Sequence, residues 1–424
     1  MRRPRTIRPY VISICLVLLA MHIWLGERNR TLVVASDGAE YLQMARNLLL
    51  TGEFTYDGDH PVVGKPPGFP AIVAAYLSIV GSVDGFQYVQ LLLLFGAYGL
   101  TALLAEQIIG PLWGLALLAT LVVIDPLREL TYGLFAEPLF MLFTVAGVYA
   151  LLRALRSGRV LWPIAAGILF GASTYVRPVN LFWPLVVIVG IYITRRKRLR
   201  TGLIVLLLHA AVVAPWLVRN SFAAGRCTPM VANWGPLYIV TDEPLYRIHR
   251  REGVVGVSQT EEFQRLIVDE FQFNPVPSER LRRAAMSNIR NDPAGYIGRC
   301  LGQAAFAWTY IPGTRGHLSS APALFALGRI MMGLLGLLVL FGVRAAWRSR
   351  DHRTATVMLI GYALYTGVIL LPVITEARYL LTPYLLLAVL AMTGIRSLIR
   401  RPDRGTRAGD QGALIEKQQA REAE

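Results

Sequence analysis

Long apolar runs separated by short charged segments constrain this chain more than any other feature. A helix that crosses a bilayer needs roughly 17–25 apolar residues. Hydrophobic residues make up 54% of the chain and charged residues 17%, against about 45–50% and about 25% in soluble domains. We therefore predict an all-α polytopic membrane protein. The apolar runs are 10–25, 68–83, 86–109, 111–124, 133–152, 160–176, 178–194, 201–218, 321–343, 354–374 and 379–398.

The basic residues indicate how the runs are oriented. Lys and Arg number 43 against 27 Asp and Glu, giving a formal charge of +16. The arginines cluster beside the apolar runs, as in RRKRLR at 195–200 and in the N-terminal segment. Cytoplasmic loops of membrane proteins carry such an excess. We interpret the charge as a topology signal, and we predict no nucleic-acid partner.

Parity then limits the number of crossings. With the N-terminus inside, segment 26–67 lies outside and 195–200 lies inside, so an odd number of spans separates them. Because the runs between them are even in number, one does not cross fully. The shortest is 111–124, and runs of about 10–14 residues are more often re-entrant or interfacial. Run 68–83 is the alternative.

The resulting topology has about ten spans in the cytoplasmic membrane, with both termini on the cytoplasmic side. Residues 1–398 form one transmembrane domain with outer loops at 26–67 and 219–320. Run 10–25 is interpreted as a retained anchor rather than a signal peptide, because no small-residue cleavage site follows it. The polar tail 399–424 is predicted to be disordered.

The first outer loop contains a predicted amphipathic helix. Ser36 is a suitable N-cap, apolar residues recur at helical spacing, and Gly52 is a stop signal. Asp37 falls in the first turn, where the helix dipole favours a carboxylate. An ionised Asp at a membrane surface is suited to act as a general base, although a plain helix-start role is the alternative.

Further charged and polar residues lie at the predicted outer ends of spans. Charges in a membrane protein are costly unless they serve a site. Parity places these segments at one level of one face, so we predict a site for an anionic lipid headgroup and a nucleophile. The residues are Lys65, Asp125, Glu137, Arg177, Arg219, Asn220, Arg378 and Tyr379.

The order of these motifs resembles a known family. The chain shows Asp37-x-x-x-Tyr41, Lys65-Pro66-Pro67, Glu137-Pro138-Leu139-Phe140, Tyr175-Val176-Arg177-Pro178, Pro215-Trp216-Leu217-Val218-Arg219-Asn220 and Glu376-Ala377-Arg378-Tyr379. It is similar to the C-type membrane glycosyltransferases of family 39, which include protein O-mannosyltransferases and the lipid A aminoarabinose transferase. The resemblance covers roughly residues 30–395.

The resemblance implies a C-type fold and an inverting sugar transfer at the outer membrane face. The donor is a polyprenyl-phosphate sugar, and the acceptor is a glycan, lipid or protein. Asp37 matches the family's base, and Lys65, Arg177 and Arg378 would hold the donor phosphate. Many relatives carry a second acid directly after the first, whereas this chain has Gly38. Glu40, Asp125 and Glu137 remain candidates for that second acid.

Three further expectations concern cofactors, the cysteines and the alternative functions. A donor with a single phosphate requires a divalent metal less than a nucleotide diphosphate does, so we expect no obligatory metal. Cys227 and Cys300 are expected to be unpaired, with a disulfide as the alternative. A transporter or a flippase of lipid-linked sugars is the alternative function. A transporter would tend to show inverted repeats, and a flippase would need no base.

Overall fold

A computed structural model describes residues 37–124, 131–225, 234–261, 279–309, 322–373 and 377–399, together with isolated residues outside these ranges. The described part is helical and contains no strand. Its α-helices are α1 (Asp37–Thr51), α2 (Gly68–Val80), α3 (Phe86–Ile109), α4 (Pro111–Ile124), α5 (Glu137–Ser157), α6 (Leu161–Val176), α7 (Trp183–Arg195), α8 (Leu199–Ala223), α9 (Gly235–Thr241), α10 (Glu243–Ser258), α11 (Glu279–Asn291), α12 (Pro293–Thr309), α13 (Pro322–Ala346), α14 (Arg350–Leu370) and α15 (Leu381–Ile399).

The all-α membrane architecture is confirmed. Six helical segments of the described chain are long and apolar enough to cross a membrane, and one of them, Pro178–Ala223, contains both α7 and α8. Helices α2, α4 and α6 are apolar but shorter. Both runs suspected of not crossing, 68–83 and 111–124, fall in this shorter group. The total of ten spans stays a prediction, and run 10–25 and tail 399–424 lie largely outside the described residues.

The predicted helix of the first outer loop is confirmed. It runs over Asp37–Thr51 and ends before Gly52, whose φ of 75° lies in the left-handed region that glycine adopts most readily. Its buried residues include Tyr41, Met44 and Ala45, which pack with α2 and the start of α5. The helix therefore lies against the ends of the bundle helices. Ser36, the predicted N-cap, lies outside the described residues.

A short turn interrupts the chain of α-helices after α6, and buried hydrogen bonds hold it in place. Residues Pro178–Asn180 form a 3-10 turn. The fully buried Asn180 amide donates to Thr144 Oγ1 at 2.9 Å and Ser173 Oγ at 2.8 Å, and its oxygen accepts from Tyr362 Oη at 3.0 Å. Polar groups inside a membrane protein need such internal partners. The turn is therefore held by α5, α6 and α14, and it holds the preceding Arg177.

Helices α9–α12 form a small cluster against the segment before α15. Their shared core includes Leu237, Val240 and Cys300. Tyr296 Oη donates to the Pro372 carbonyl at 3.1 Å, and Gln303 Nε2 donates to the Val373 carbonyl at 2.6 Å. These contacts fix the backbone shortly before the 3-10 turn Ala377–Leu380.

Arginines mark the other end of the bundle. Arg195, at the end of α7, donates to the Leu155 carbonyl near the end of α5 at 3.3 Å and to Thr354 Oγ1 near the start of α14 at 3.2 Å. Glu137 begins α5, so it lies at the opposite end. The bundle thus separates an arginine-rich end from the end that carries α1, as the topology requires.

We predict that the arginine-rich end is cytoplasmic. In a chain with Cys15, Cys227 and Cys300 replaced by serine, Lys197→Cys should react with a membrane-impermeant maleimide only after the cells are permeabilised. The matched control keeps the native Cys227, which is exposed and unpaired, as its single cysteine and should react in intact cells. Labelling at position 197 in intact cells would reject the topology.

Candidate active site

Six charged side chains from separate parts of the sequence meet at the α1 end of the bundle. We call them the charge cluster: Asp37, Glu40, Lys65, Glu137, Arg177 and Arg378. Each sits where a helix begins or ends. Three are acids and three are bases, so the formal charges sum to zero. Four of the charges predicted at span ends, Lys65, Glu137, Arg177 and Arg378, are therefore brought together with the two acids of α1.

Asp37 is the centre of the charge cluster. Its Oδ1 accepts from Lys65 Nζ at 2.9 Å, and its Oδ2 accepts from Arg378 Nη2 at 2.9 Å. Each carboxylate oxygen thus has its own cation, supplied by residues 28 and 341 positions away in the sequence. The side chain remains 30% exposed. Asp37 is therefore paired and still accessible from outside the protein.

Lys65 joins both acids of α1. Its Nζ lies 2.5 Å from Glu40 Oε2 and 5.2 Å from the centre of the Tyr41 ring. The Tyr41 ring packs edge-on against Phe69, the second residue of α2. Glu40 is 32% exposed, similar to Asp37. Glu40, one helical turn after Asp37, therefore shares the lysine with it.

Glu137 has a different environment. It is the first residue of α5, followed by Pro138, which suits the first turn of a helix. Its Oε1 accepts from Arg177 Nη1 at 2.8 Å and lies 3.5 Å from Arg378 Nε. Its side chain is only 4% exposed. Glu137 is therefore suited to hold the two arginines rather than to meet a substrate.

Aromatic rings support the two guanidinium groups. Arg177 lies 4.2 Å from the centre of the Tyr379 ring, and Arg378 lies 5.4 Å from the same ring. Phe135 lies 5.3 Å from Arg378. Such cation–π contacts contribute about 0.5–2 kcal/mol each, depending on exposure. They also orient the guanidinium groups without using their hydrogen-bond donors.

Ion pairing and burial determine the protonation states of Asp37, Lys65 and Tyr41. Burial alone would raise the pKa of the Asp37 carboxyl, but Lys65 and Arg378 outweigh it and hold that pKa well below its usual range. Burial opposes the charge on Lys65, yet Tyr41, Asp37 and Glu40 raise its pKa above the ordinary value. Burial raises the pKa of Tyr41 to about 12. At neutral pH, Asp37 is therefore an anion, Lys65 a cation and Tyr41 neutral.

Close backbone packing brings Lys65 toward Arg177. Gly68 begins α2, and a Cβ at this position would lie 2.7 Å from the Tyr175 carbonyl oxygen and 2.8 Å from its carbon. Any larger residue would force α2 away from the end of α6. Lys65 lies three residues before this contact, and Arg177 lies two residues after it. Glycine at position 68 therefore allows the close approach of the two segments that carry Lys65 and Arg177.

Gly38 lies in close contact with the segment before α5. A Cβ at position 38 would lie 3.0 Å from Leu134 Cβ and 3.3 Å from the Leu134 carbonyl oxygen. A side chain at this position would therefore be crowded against the segment before α5, which would have to shift slightly to admit it. Of the three candidates for the second acid, Glu40 and Glu137 are both in the charge cluster, and Asp125 lies outside the described residues.

Gln90 is a residue that the sequence analysis missed. It is fully buried in α3, where its Nε2 donates to the Thr131 carbonyl at 3.0 Å and the Gly133 carbonyl at 2.5 Å. Its Oε1 accepts from Phe135 N at 3.0 Å. This amide fixes the segment that packs on Gly38 and supports Arg378. A glutamine inside a long, mostly apolar span was the available signal, since buried amides need partners.

Arg219 and Asn220 have different neighbours. Arg219 donates to the carbonyls of Val62 and Phe54, the latter at 3.2 Å, and lies 4.7 Å from the centre of the Trp216 ring. Its Nη1 also donates to Asn220 Oδ1 at 3.0 Å. Arg219 therefore ties α8 to the loop that leads to Lys65. Its predicted role in substrate binding stays a prediction, and these contacts favour a supporting one.

His60 and Asp57, two residue types that can bind metals, pair with each other in the loop before α2. His60 Nδ1 lies 2.8 Å from Asp57 Oδ2, and the other Asp57 oxygen accepts from the backbone nitrogens of Asp59 and His60. These contacts form a hydrogen-bonded turn. Among the described residues, no group of three or more His, Cys, Asp or Glu side chains is arranged to hold a metal ion.

Comparison with solved structures supports the C-type fold. The chain aligns with the archaeal oligosaccharyltransferase AglB from Archaeoglobus fulgidus, solved with an inhibitory peptide and a dolichol-phosphate. The TM-score is 0.53 at 10% identity, over 96% of this chain and 54% of AglB. The chain thus spans about half the length of that protein. The alignment confirms the fold, a C-type membrane glycosyltransferase fold.

A second solved structure is similar at a lower score. ArnT from Cupriavidus metallidurans, solved with undecaprenyl phosphate, aligns at 15% identity over 91% of this chain and 77% of ArnT, with a TM-score of 0.40. That score is too low to add support to the fold. No protein-family model matches the sequence, and no curated protein does so at a significant level.

We predict that Gly68→Ala destabilises the protein. Because the added methyl group meets backbone atoms, α2 must move, and overpacking of this kind costs typically about 1–3 kcal/mol. Unfolding of the purified protein in detergent, followed by circular dichroism, measures the loss. Gly64→Ala is the matched control, since a Cβ there meets no atom within 4 Å. Equal stability of the two variants would show that the close approach is unimportant.

Proposed function

We propose that this protein is a membrane glycosyltransferase that moves a sugar from a polyprenyl-phosphate donor to an acceptor hydroxyl, with inversion at the anomeric carbon. The observation that carries the proposal is the charge cluster. It places three cations and an accessible carboxylate together at one end of a membrane bundle with a C-type fold.

The proposed reaction is a single displacement. The acceptor oxygen attacks the anomeric carbon and forms the new glycosidic bond, while the bond from that carbon to the phosphate oxygen breaks. The acceptor proton passes to Asp37, and the electron pair of the broken bond stays on the polyprenyl phosphate. Attack from the face opposite the leaving group inverts the anomeric configuration.

Asp37 is the favoured base among the three acids. It is accessible, it is ionised at neutral pH, and it begins a helix whose dipole favours the anion. Glu40 is equally accessible but contacts only Lys65 among the three cations. Glu137 is buried between Arg177 and Arg378. We assign Glu40 an auxiliary role at Lys65 and Glu137 the role of positioning the arginines.

The three cations suit the donor phosphate. As the bond to the sugar breaks, the phosphate gains negative charge, and Lys65, Arg177 and Arg378 can stabilise that charge in a partly buried site. Their side chains are only 17–19% exposed. A site that already holds three cations can stabilise a single phosphate without a bound metal. The reaction as proposed needs no further cofactor.

The orientation of the site follows from the proposed topology. The charge cluster lies opposite the arginine-rich end, so it would face the extracytoplasmic side of the cytoplasmic membrane. The polyprenyl chain would remain in the bilayer beside the apolar helices. The acceptor, a glycan, lipid or protein, would approach from the outer side, where Asp37 and Glu40 are exposed.

We predict that removing any one of the three cations weakens donor binding. Charge-assisted hydrogen bonds contribute about 1.5–3 kcal/mol, so Lys65→Ala, Arg177→Ala and Arg378→Ala should each lower affinity for undecaprenyl phosphate about tenfold or more. Native mass spectrometry of the detergent-solubilised protein measures the bound fraction. Arg247→Ala removes an exposed cation of α10 and should leave binding unchanged. Unchanged affinity in all three cluster variants would refute the phosphate site.

We predict that Asp37→Asn folds but loses at least about a hundredfold in turnover, because general-base catalysis contributes typically about 10²–10⁴-fold. Glu40→Gln should lose less. The rate at which each variant, expressed in a deletion strain, restores the envelope glycan lost with the gene can be followed by mass spectrometry.

Asp57→Asn is the matched control, since it removes an acid of the same loop that pairs with His60. It should restore the glycan at the native rate. Native turnover in Asp37→Asn would assign the base elsewhere, with Glu137 tested next. Restored lipid translocation without any sugar transfer would favour a flippase.

A further inference from the structure

We propose that Asp37 is an internal competitor for the donor phosphate. In the ligand-free protein its two oxygens occupy the positions that two phosphate oxygens take on Lys65 and Arg378, and the donor displaces it. The base is therefore released only when a donor is bound. This inference rests on the proposed function and concerns how the same site is regulated.

The geometry supports an exchange of one anion for another. The two Asp37 oxygens each lie 2.9 Å from a different cation. A phosphodiester likewise offers two free oxygens on one central atom, separated by a similar distance. The donor can thus take over both bonds without moving the cations. Glu137 and the Tyr379 ring still hold Arg378, and Glu40 and the Tyr41 ring remain beside Lys65.

The exposure of the three acids determines which of them the donor phosphate can displace. Asp37 and Glu40 are 30% and 32% exposed, whereas Glu137 is 4% exposed. A displaced carboxylate must be hydrated, since an unpaired buried charge is very costly. Only the two acids of α1 meet that condition within the charge cluster. Asp37 contacts two cations and Glu40 one, so Asp37 blocks more of the phosphate site.

Charge balance leads to the same conclusion. The charge cluster is formally neutral, and a polyprenyl-phosphate sugar adds one negative charge. If every internal ion pair persisted, the phosphate would meet cations that are already neutralised. Displacement moves the excess charge onto the accessible Asp37. Without its cations and beside a phosphate, Asp37 becomes a stronger base, which an acceptor hydroxyl requires.

The proposed exchange also provides a way to release the polyprenyl-phosphate product. After transfer, Asp37 carries the acceptor proton, and the polyprenyl phosphate carries one more negative charge, so the total charge is unchanged. When Asp37 loses that proton to water, it again competes for Lys65 and Arg378. The carboxylate that was displaced at the start thus helps to expel the product. Donor binding, base release and product release are linked through one pair of cations.

The test is whether removing the Asp37 carboxylate raises or lowers the affinity for undecaprenyl phosphate. Asp37→Asn removes the competitor, so undecaprenyl phosphate should bind about tenfold more tightly or better, even though turnover is lost. Glu40→Gln, which removes one of the two acids on Lys65 and leaves Asp37 in place, should give a smaller increase. Affinity is measured by native mass spectrometry of the full-length protein, with melting temperatures confirming that each variant is folded.

Two controls separate competition from a general effect of negative charge. Asp57→Asn, in the same loop but paired with His60, should leave affinity unchanged. Glu137→Gln removes a cluster acid that we expect to stay in place, so affinity should not increase. Equal tightening in Glu137→Gln and Asp37→Asn would show a simple charge effect and overturn the proposal.

The outcomes also distinguish this inference from the proposed function. Unchanged or weaker binding in Asp37→Asn, together with weaker binding in Lys65→Ala and Arg378→Ala, would reject the exchange and leave the phosphate site intact. Unchanged binding in all the cation variants would reject the phosphate site itself. Should Asp37→Asn fail to fold, Asp37→Ser supplies the same measurement with a smaller side chain.

Discussion

Charge neutrality within the charge cluster is the constraint on which the α1 end of the bundle depends. Isolated charges at the surface of an apolar bundle are costly, and they become tolerable when they are paired. Three acids and three bases satisfy this requirement through contacts of 2.5–3.5 Å. Two of the three acids, Asp37 and Glu40, remain accessible, which the proposed exchange with an external anion requires.

The surrounding structure holds the cations in place. The Asn180 network fixes the turn after Arg177, and Tyr296 and Gln303 fix the backbone before Arg378. Gln90 fixes the segment beneath Gly38. These polar groups are bonded to backbone or to one another, so they leave the charge cluster free to exchange partners. A rigid frame around a few exchangeable ion pairs is the arrangement that electrostatic catalysis favours.

Much of the site was predictable because a membrane makes charge expensive. Lys65, Glu137, Arg177 and Arg378 were identified as charges at span ends, and parity placed them on one face. The structure brings these four side chains together in the charge cluster, and their role as a site stays a prediction. Arg219 was identified by the same rule, yet it binds backbone carbonyls of the first loop. A charged residue at a span end can stabilise the surrounding structure or belong to the charge cluster. The sequence does not distinguish these two roles.

The sequence by itself determined the helical membrane architecture, the α1 helix and the end of the bundle at which the charges gather. These properties follow from hydrophobic run length, helical periodicity and the cost of charge in an apolar medium. Only the tertiary structure decided which ions pair, because pairing depends on contacts between residues as far apart as Asp37 and Arg378. It also decided that Glu137 is buried while Asp37 is accessible, a difference set by the packing of α5 against its neighbours. That difference in exposure separates Glu137, which holds the arginines, from Asp37, the acid that we propose the donor displaces.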